Sequence, residues 1–142
     1  MYYTMSKMDK KTVENLKKKL TKEQYNICFL KNTEPPFSGK YTHNKDKGMY
    51  VCVVCGNELF SSDTKFDSKT GWPSFWEAAN KDNIELKEDQ SLGMIRTEVL
   101  CKNCGAHLGH VFDDGPQTLT DGKKATGKRY CINSLALDFQ KS

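Results

Sequence analysis

The sequence predicts a mainly β domain of antiparallel strands, with short helices confined to its N-terminal end. Three observations carry that expectation. Apolar residues recur at helical spacing only up to Phe29. Beyond Gly48 the apolar runs are short and alternate with polar residues, which suits half-buried strands. Gly, Pro, Asn and Asp turn signals punctuate the chain from there to its end.

Taken in order, residues 1–11 read as disordered or tag-like. Thr12 is expected to cap a short amphipathic helix in which Val13, Leu16 and Leu20 stand among lysines. Thr21 followed by Gln24 reads as a capping box opening a second helix, TKEQYNICF. NTEPPFSGKYTHNKDKG is a loop leading to the strand MYVCVVC, and Asn57 to Phe60 lead away from it. SSDTKFDSKTGWPSF is turn-rich, and SFWEAAN is expected to hold one helical turn. MIRTEVLC alternates as a strand, DDGPQTLTDGKKATGK is a loop, and RYCINSLALDF is expected to be one final strand. Period-two geometry would place Arg129, Cys131, Asn133, Leu135, Leu137 and Phe139 on one of its faces.

At 142 residues a single domain is expected. Its boundaries are set at residues 21–142, with residues 1–20 as a Lys-rich extension. The net charge of +4 resides in that N-terminal end: residues 1–22 hold seven lysines against Asp9 and Glu14, a local +5, which leaves −1 for the other 120 residues. A folded body without positive charge argues against nucleic-acid binding. No apolar run is long enough to cross a membrane, and the N-terminus lacks the apolar core of a secretory signal. A cytoplasmic monomer is expected.

Six cysteines divide into four plus two. Cys52 and Cys55 form one C-x-x-C pair, Cys101 and Cys104 another, and glycine follows each. Four thiolates complete a tetrahedral shell, so one structural zinc per chain is expected, with no open position for hydrolytic chemistry. A redox C-x-x-C would sit at a helix start, whereas both pairs follow strand-like residues. Forty-five residues separate Cys55 from Cys101, so the metal closes a long loop.

Cys131 is the candidate nucleophile. A lone cysteine on a strand can be merely a small buried hydrophobe. Arg129 and Asn133 share its expected face, however, and a nearby guanidinium favours the thiolate. His107 and His110, in CGAHLGHVFDDGP, follow the second knuckle and could be held at fixed positions by it. An extra zinc ligand at His107, or two satisfied polar groups under a loop, are the plainer alternatives. Trp72 sits on a turn between Gly71 and Pro73, where an indole face suits a small apolar group, while Trp76 reads as core.

GWPSFW, CGAHLGHVFDDGP and GKRYCINS, arranged in that order around the two knuckles, resemble methionine-R-sulfoxide reductase, the methionine sulfoxide reductase B type. The resemblance extends from about Thr21 to the C-terminus and includes EQYNI and TEPPFSGKY. It implies two antiparallel sheets with a peripheral zinc, and reduction of the R epimer of methionine sulfoxide, peptide-bound or free. Cys131 would attack the sulfoxide sulfur and His107 and His110 would serve its oxygen. Trp72 would hold the methyl group, and Arg129 and Asn133 would tune and orient the site. Cys131 would be left as a sulfenic acid, regenerated by thioredoxin or another thiol. Many relatives read G-C-G-W-P-S-F, but here Thr70 stands where that resolving cysteine would be. Direct attack by an external thiol is the expected route, with Cys28 as the alternative resolving residue. A non-catalytic zinc-ribbon-like binding module is the rival reading, and it leaves the thiol, the paired histidines and the Trp loop unexplained.

Overall fold

The computed structural model describes residues 8–142. Residues 1–7 of the segment expected to be irregular lie outside the described residues. Lys10 and Lys11 of that segment are helical, because α1 (Lys10–Lys17) begins one turn earlier than expected. Asp9, not Thr12, is its cap: the Asp9 carboxylate accepts the Thr12 backbone N–H at 2.8 Å. An acidic cap also suits the positive end of the helix dipole. Met8, Val13, Leu16 and Leu20 pack against the core. α2 (Lys22–Leu30) opens on the expected capping box, with Gln24 N donating to Thr21 Oγ1 and Thr21 N donating to Gln24 Oε1.

Nine antiparallel strands follow among the described residues and form two sheets. The smaller sheet joins β1 (Gly48–Cys52), β2 (Glu58–Ser61) and β9 (Leu137–Lys141) in the order β2-β1-β9. The larger sheet comprises β3 (Lys65–Phe66), β4 (Ser74–Phe75), β5 (Ile84–Asp89), β6 (Arg96–Cys101), β7 (His107–Phe112) and β8 (Arg129–Ile132), ordered β3-β4-β8-β7-β6-β5. Fully buried aromatics from both sheets join them. Phe60 stacks on Phe75 at 4.5 Å between ring centroids, and Tyr50 meets Phe75 edge-on at 5.2 Å. Such pairs contribute beyond the area they remove from water.

Two expected elements are corrected. SFWEAAN holds no helical turn: Ser74 and Phe75 pair with both β3 and β8, and the chain then bends away. RYCINSLALDF is two strands in different sheets rather than one. A 3-10 turn at Ser134–Ala136 separates β8 from β9. Buried polar groups hold that turn: Glu34 Oε1 accepts the Leu135 N–H at 2.9 Å, and Tyr41 N donates to Ser134 Oγ at 3.3 Å. The loop at 117–128 doubles back through a Thr118–Lys124 bridge and is tied to the Trp76 carbonyl by the Thr126 hydroxyl. No helix among the described residues is long and apolar enough to cross a membrane.

Candidate active site and metal centre

Cys52 ends β1 and Cys101 ends β6, so the two knuckles lie on different sheets. Each turn closes through a glycine with a left-handed backbone: Gly56 (φ +80°) donates its N–H to Cys52 O at 2.9 Å, and Gly105 (φ +81°) to Cys101 O at 2.8 Å. A side chain would strain that conformation. The four Sγ atoms lie within 4.8 Å of one another, with Cys52–Cys104 and Cys55–Cys101 both at 3.6 Å. A tetrahedron of thiolates around zinc has edges of about 3.8 Å, so the donor set fits such an ion. Asn57 Nδ2 points at Cys101 Sγ from 3.7 Å, an outer contact of the kind that steadies a metal-bound thiolate. The four cysteines are positioned to bind a metal ion.

Cys131 lies on β8, in register with His110 on β7 and Ser74 on β4. Cross-strand partners share a face, so the thiol and the His110 ring project together. Gly109 lets these strands close: a Cβ there would stand 2.0 Å from the Cys131 carbonyl oxygen. A pocket of about 230 Å³ opens on this face, bounded by Thr70, Trp72, Arg96, His110, Arg129 and Cys131.

Each wall has an identifiable support. Trp72 Nε1 donates to the Glu34 carbonyl at 3.0 Å, fixing the indole from its loop. Arg129 makes a two-pronged contact with Asp114, at 2.8 and 3.2 Å, and lies over the Phe112 ring at 4.5 Å. A hydroxyl chain links Thr70, Ser68 and Ser74 at 2.7 Å per step. Asn133 also borders the pocket, but its amide is committed to backbone: Nδ2 donates to Leu108 O at 3.0 Å and Oδ1 accepts Glu34 N–H at 3.1 Å. It brackets β8 to β7 and to the Glu34 loop.

The two histidines are not equivalent. His110 borders the pocket, while His107 stands behind it, 2% exposed, with ring centroids 5.4 Å apart. They lie three apart on one strand, a spacing that ordinarily puts side chains on opposite faces. A register shift in the β6–β7 pairing at Val99/Leu100 rephases the strand and brings the rings together. His110 Nε2 donates to Asp89 Oδ2 at 2.8 Å, and His107 Nδ1 donates to Glu98 Oε2 at 2.6 Å. His107 is held below the ordinary histidine range chiefly by burial, against the opposing pull of Glu98.

The Arg129 guanidinium favours the thiolate as expected, yet burial outweighs it, and Cys131 ionises above the ordinary thiol range. Arg129 and a hydrogen bond from Thr70 draw it part of the way back. Removing Arg129 by Arg129→Ala should push ionisation higher still. The pH profile of iodoacetamide labelling at Cys131, read by peptide mass, should shift to higher pH; a shift to lower pH would overturn this balance of effects.

Cys28 does not border the pocket. It is 2% exposed on α2, and burial pushes its thiol up to about 12, with the charge of Cys101 adding to the push. Sequence reading missed Glu98, Asp89, Arg96 and Asp114. A signal existed in RTEV, where Arg96 and Glu98 fall on one face of a strand that ends in the apolar run Val99, Leu100.

A half-buried cysteine in a pocket bordered by arginine and a carboxylate-held histidine, with a second such histidine behind, on two antiparallel sheets joined by a four-thiol centre suited to a metal ion, defines a thiol-bearing β domain. The chain belongs to the SelR domain family, whose model matches residues 20–141. It is 56% identical over 130 residues to a protein of Methanosarcina barkeri named peptide methionine sulfoxide reductase MsrB, covering 92% of this chain and 87% of that one. A protein of the same name from Leptospira interrogans is 51% identical over 141 residues, 99% of each chain. Mouse methionine-R-sulfoxide reductase B3, mitochondrial, is 53% identical over 126 residues, which are 89% of this chain and 47% of the mouse protein.

Proposed function

We propose that this protein reduces the R epimer of peptide-bound methionine sulfoxide to methionine, as a cytoplasmic monomer that holds one structural zinc at Cys52, Cys55, Cys101 and Cys104. The observation that carries the reading is Cys131 half-buried in the pocket between Trp72, His110 and Arg129. Names of the relatives support the same chemistry. The reductase domain is assigned to residues 21–142, with residues 1–20 as an appended Lys-rich segment. A four-thiolate site also suits a reducing compartment.

In the reaction, the Cys131 sulfur attacks the sulfoxide sulfur while the methyl group rests against the Trp72 indole. The S–O bond of the substrate breaks and an S–O bond to Cys131 forms. Methionine sulfur gains two electrons and Cys131 sulfur loses two, yielding a sulfenic acid. The thiol proton is conserved in that product. His110, with His107 behind it, stabilises the oxygen and holds the proton as charge develops there. Arg129 compensates part of the desolvation of the attacking thiolate.

Two equivalents of external thiol, from thioredoxin or a small molecule, then return the sulfenic acid to the thiol with release of water and a disulfide. The absence of a cysteine at position 70 and the deep burial of Cys28 favour this direct route. Cys28→Ser is accordingly expected to leave thioredoxin-driven turnover within about twofold of wild type. A large loss of recycling with an intact first turnover would instead assign Cys28 as the resolving residue. The overall reading is tested on separated R and S sulfoxides of a blocked methionine: R-selective product is expected, and reduction of neither epimer by fully reduced, zinc-loaded protein would favour the binding-module alternative.

A further inference from the structure

Two runs of charge converge on the histidines, one at the pocket wall and one behind it. In the first, Lys31 Nζ lies 3.2 Å from Glu98 Oε1, and Glu98 Oε2 accepts the His107 Nδ1 proton at 2.6 Å. The Glu98 and His107 side chains are 1% and 2% exposed, and His107 Nε2 is buried with no hydrogen-bond partner. In the second, Arg96 Nη2 lies 3.5 Å from Asp89 Oδ2, the same oxygen that accepts from His110 Nε2 at 2.8 Å. Ser91 N–H anchors the other Asp89 oxygen at 2.9 Å. The histidine rings meet at 68°.

We infer that Glu98 and Asp89 are positioning residues that fix which nitrogen of each histidine remains free, and that Lys31 and Arg96 pair with those two carboxylates and hold them in place. This rests on the reductase reading for its catalytic consequence, though not for its geometry.

A carboxyl group removed from water to this degree needs close hydrogen-bonding or charged partners. Glu98 has two, a lysine from the C-terminal end of α2 and an imidazole from β7. With Nδ1–H committed to Glu98, the free nitrogen of His107 is Nε2. With Nε2–H committed to Asp89, the free nitrogen of His110 is Nδ1. A carboxylate behind an imidazole sets its tautomer and steadies the imidazolium that forms when it takes up a proton. Both effects are needed if a ring is to hold a proton near a developing oxyanion. His107 is faced by Glu98 from β6, His110 from its own strand and Lys31 from α2. His110 is faced by Asp89 from β5 and, in strand register, by Glu98 on β6 and Cys131 on β8.

The test uses the full chain, loaded with zinc, and a blocked methionine R-sulfoxide. Single-turnover rates are measured between about pH 5.5 and 9, and imidazole nitrogen chemical shifts report the tautomers. Glu98→Gln should lower the maximal rate by about a hundredfold, the low end of what positioned proton transfer contributes. Its KM should stay near wild type, and the tautomer signature of His107 should change. Asp89→Asn should do the same for His110. Because Glu98 is buried, Lys31→Met provides a second route: Lys31 is 56% exposed, so the fold tolerates the change. Glu98→Gln should move the His107-dependent limb of the pH profile to lower pH and Lys31→Met should move it to higher pH, because Glu98 favours the His107 proton and Lys31 opposes it, and Lys31→Arg should restore the wild-type profile. Unchanged His107 shifts and pH profile in Lys31→Met would overturn the inference. So would a rate loss in Glu98→Gln that tracks thermal stability with tautomers intact. If wild type does not reduce the R-sulfoxide, the reductase reading fails, while the nitrogen shifts still decide the tautomer assignment.

Discussion

Cys131→Ser is expected to lower single-turnover sulfoxide reduction by about a thousandfold or more while leaving metal content unchanged and the melting temperature within about 3 °C of wild type. A hydroxyl in place of the thiol neither attacks sulfur nor accepts its oxygen, so no remaining group in the pocket replaces the reaction. The small structural effect follows from the position. Cys131 is only half-buried, lies at the pocket edge of β8, and its strand is held by Asn133 and the His110 register rather than by the sulfur. Serine is close in volume and can accept from Thr70. The outcome is read by rapid-quench product analysis, metal analysis and calorimetry on the same preparation. Loss of metal or a fall of many degrees would make Cys131 a structural residue.

Cys104→Ser, or removal of metal by a strong chelator, is expected to abolish cooperative unfolding and not merely to slow chemistry. The four thiols join the end of β1 in one sheet to the end of β6 in the other. They also close the 45 residues between Cys55 and Cys101. Structural zinc contributes an apparent ~10–16 kcal/mol in small metal-folded domains. That matches or exceeds the ~5–15 kcal/mol of net stability typical of a whole domain. Without the metal, four crowded and mostly buried thiols would lose the ion that joins them. Residual activity should fall with the fraction of folded molecules, measured by near-ultraviolet dichroism, while the molecules that remain folded keep their KM. A variant that unfolds cooperatively at normal temperature without metal would contradict the structural assignment.

Much of this architecture was legible in residue patterns because local rules governed those elements. The Thr21–Gln24 capping box and the strand in MIRTEVLC appear as read, and the paired knuckles bring their four thiols together. Where the reading went astray, a tertiary partner had overridden a local signal. Alternation in RYCINSLALDF continues through Leu135, but the buried Glu34 carboxylate, about a hundred residues away, grips the Leu135 N–H and turns the chain between sheets. Thr12 satisfied the sequence rule for a cap, and Asp9 satisfied it one turn earlier. At the site, Cys131, Arg129 and Trp72 were found because unusual residue types stood at unusual places. Glu98, Asp89 and Asp114 were not, since acids in a chain with 18 of them carry no mark until pairing brings each to a base. The different placement of His107 and His110 depends on a register shift that no spacing announces.

The most direct test of the central claim, that Cys131 itself takes the sulfoxide oxygen, is a single turnover with blocked methionine R-sulfoxide and no external reductant, followed by thiol counting and peptide mass. About one equivalent of methionine product per chain, loss of one thiol, and one added oxygen on the Cys131 peptide are expected. Product accompanied by loss of two thiols and a Cys28–Cys131 disulfide would contradict direct external recycling. Product with Cys131 unmodified, and no disulfide, would contradict its role as the nucleophile.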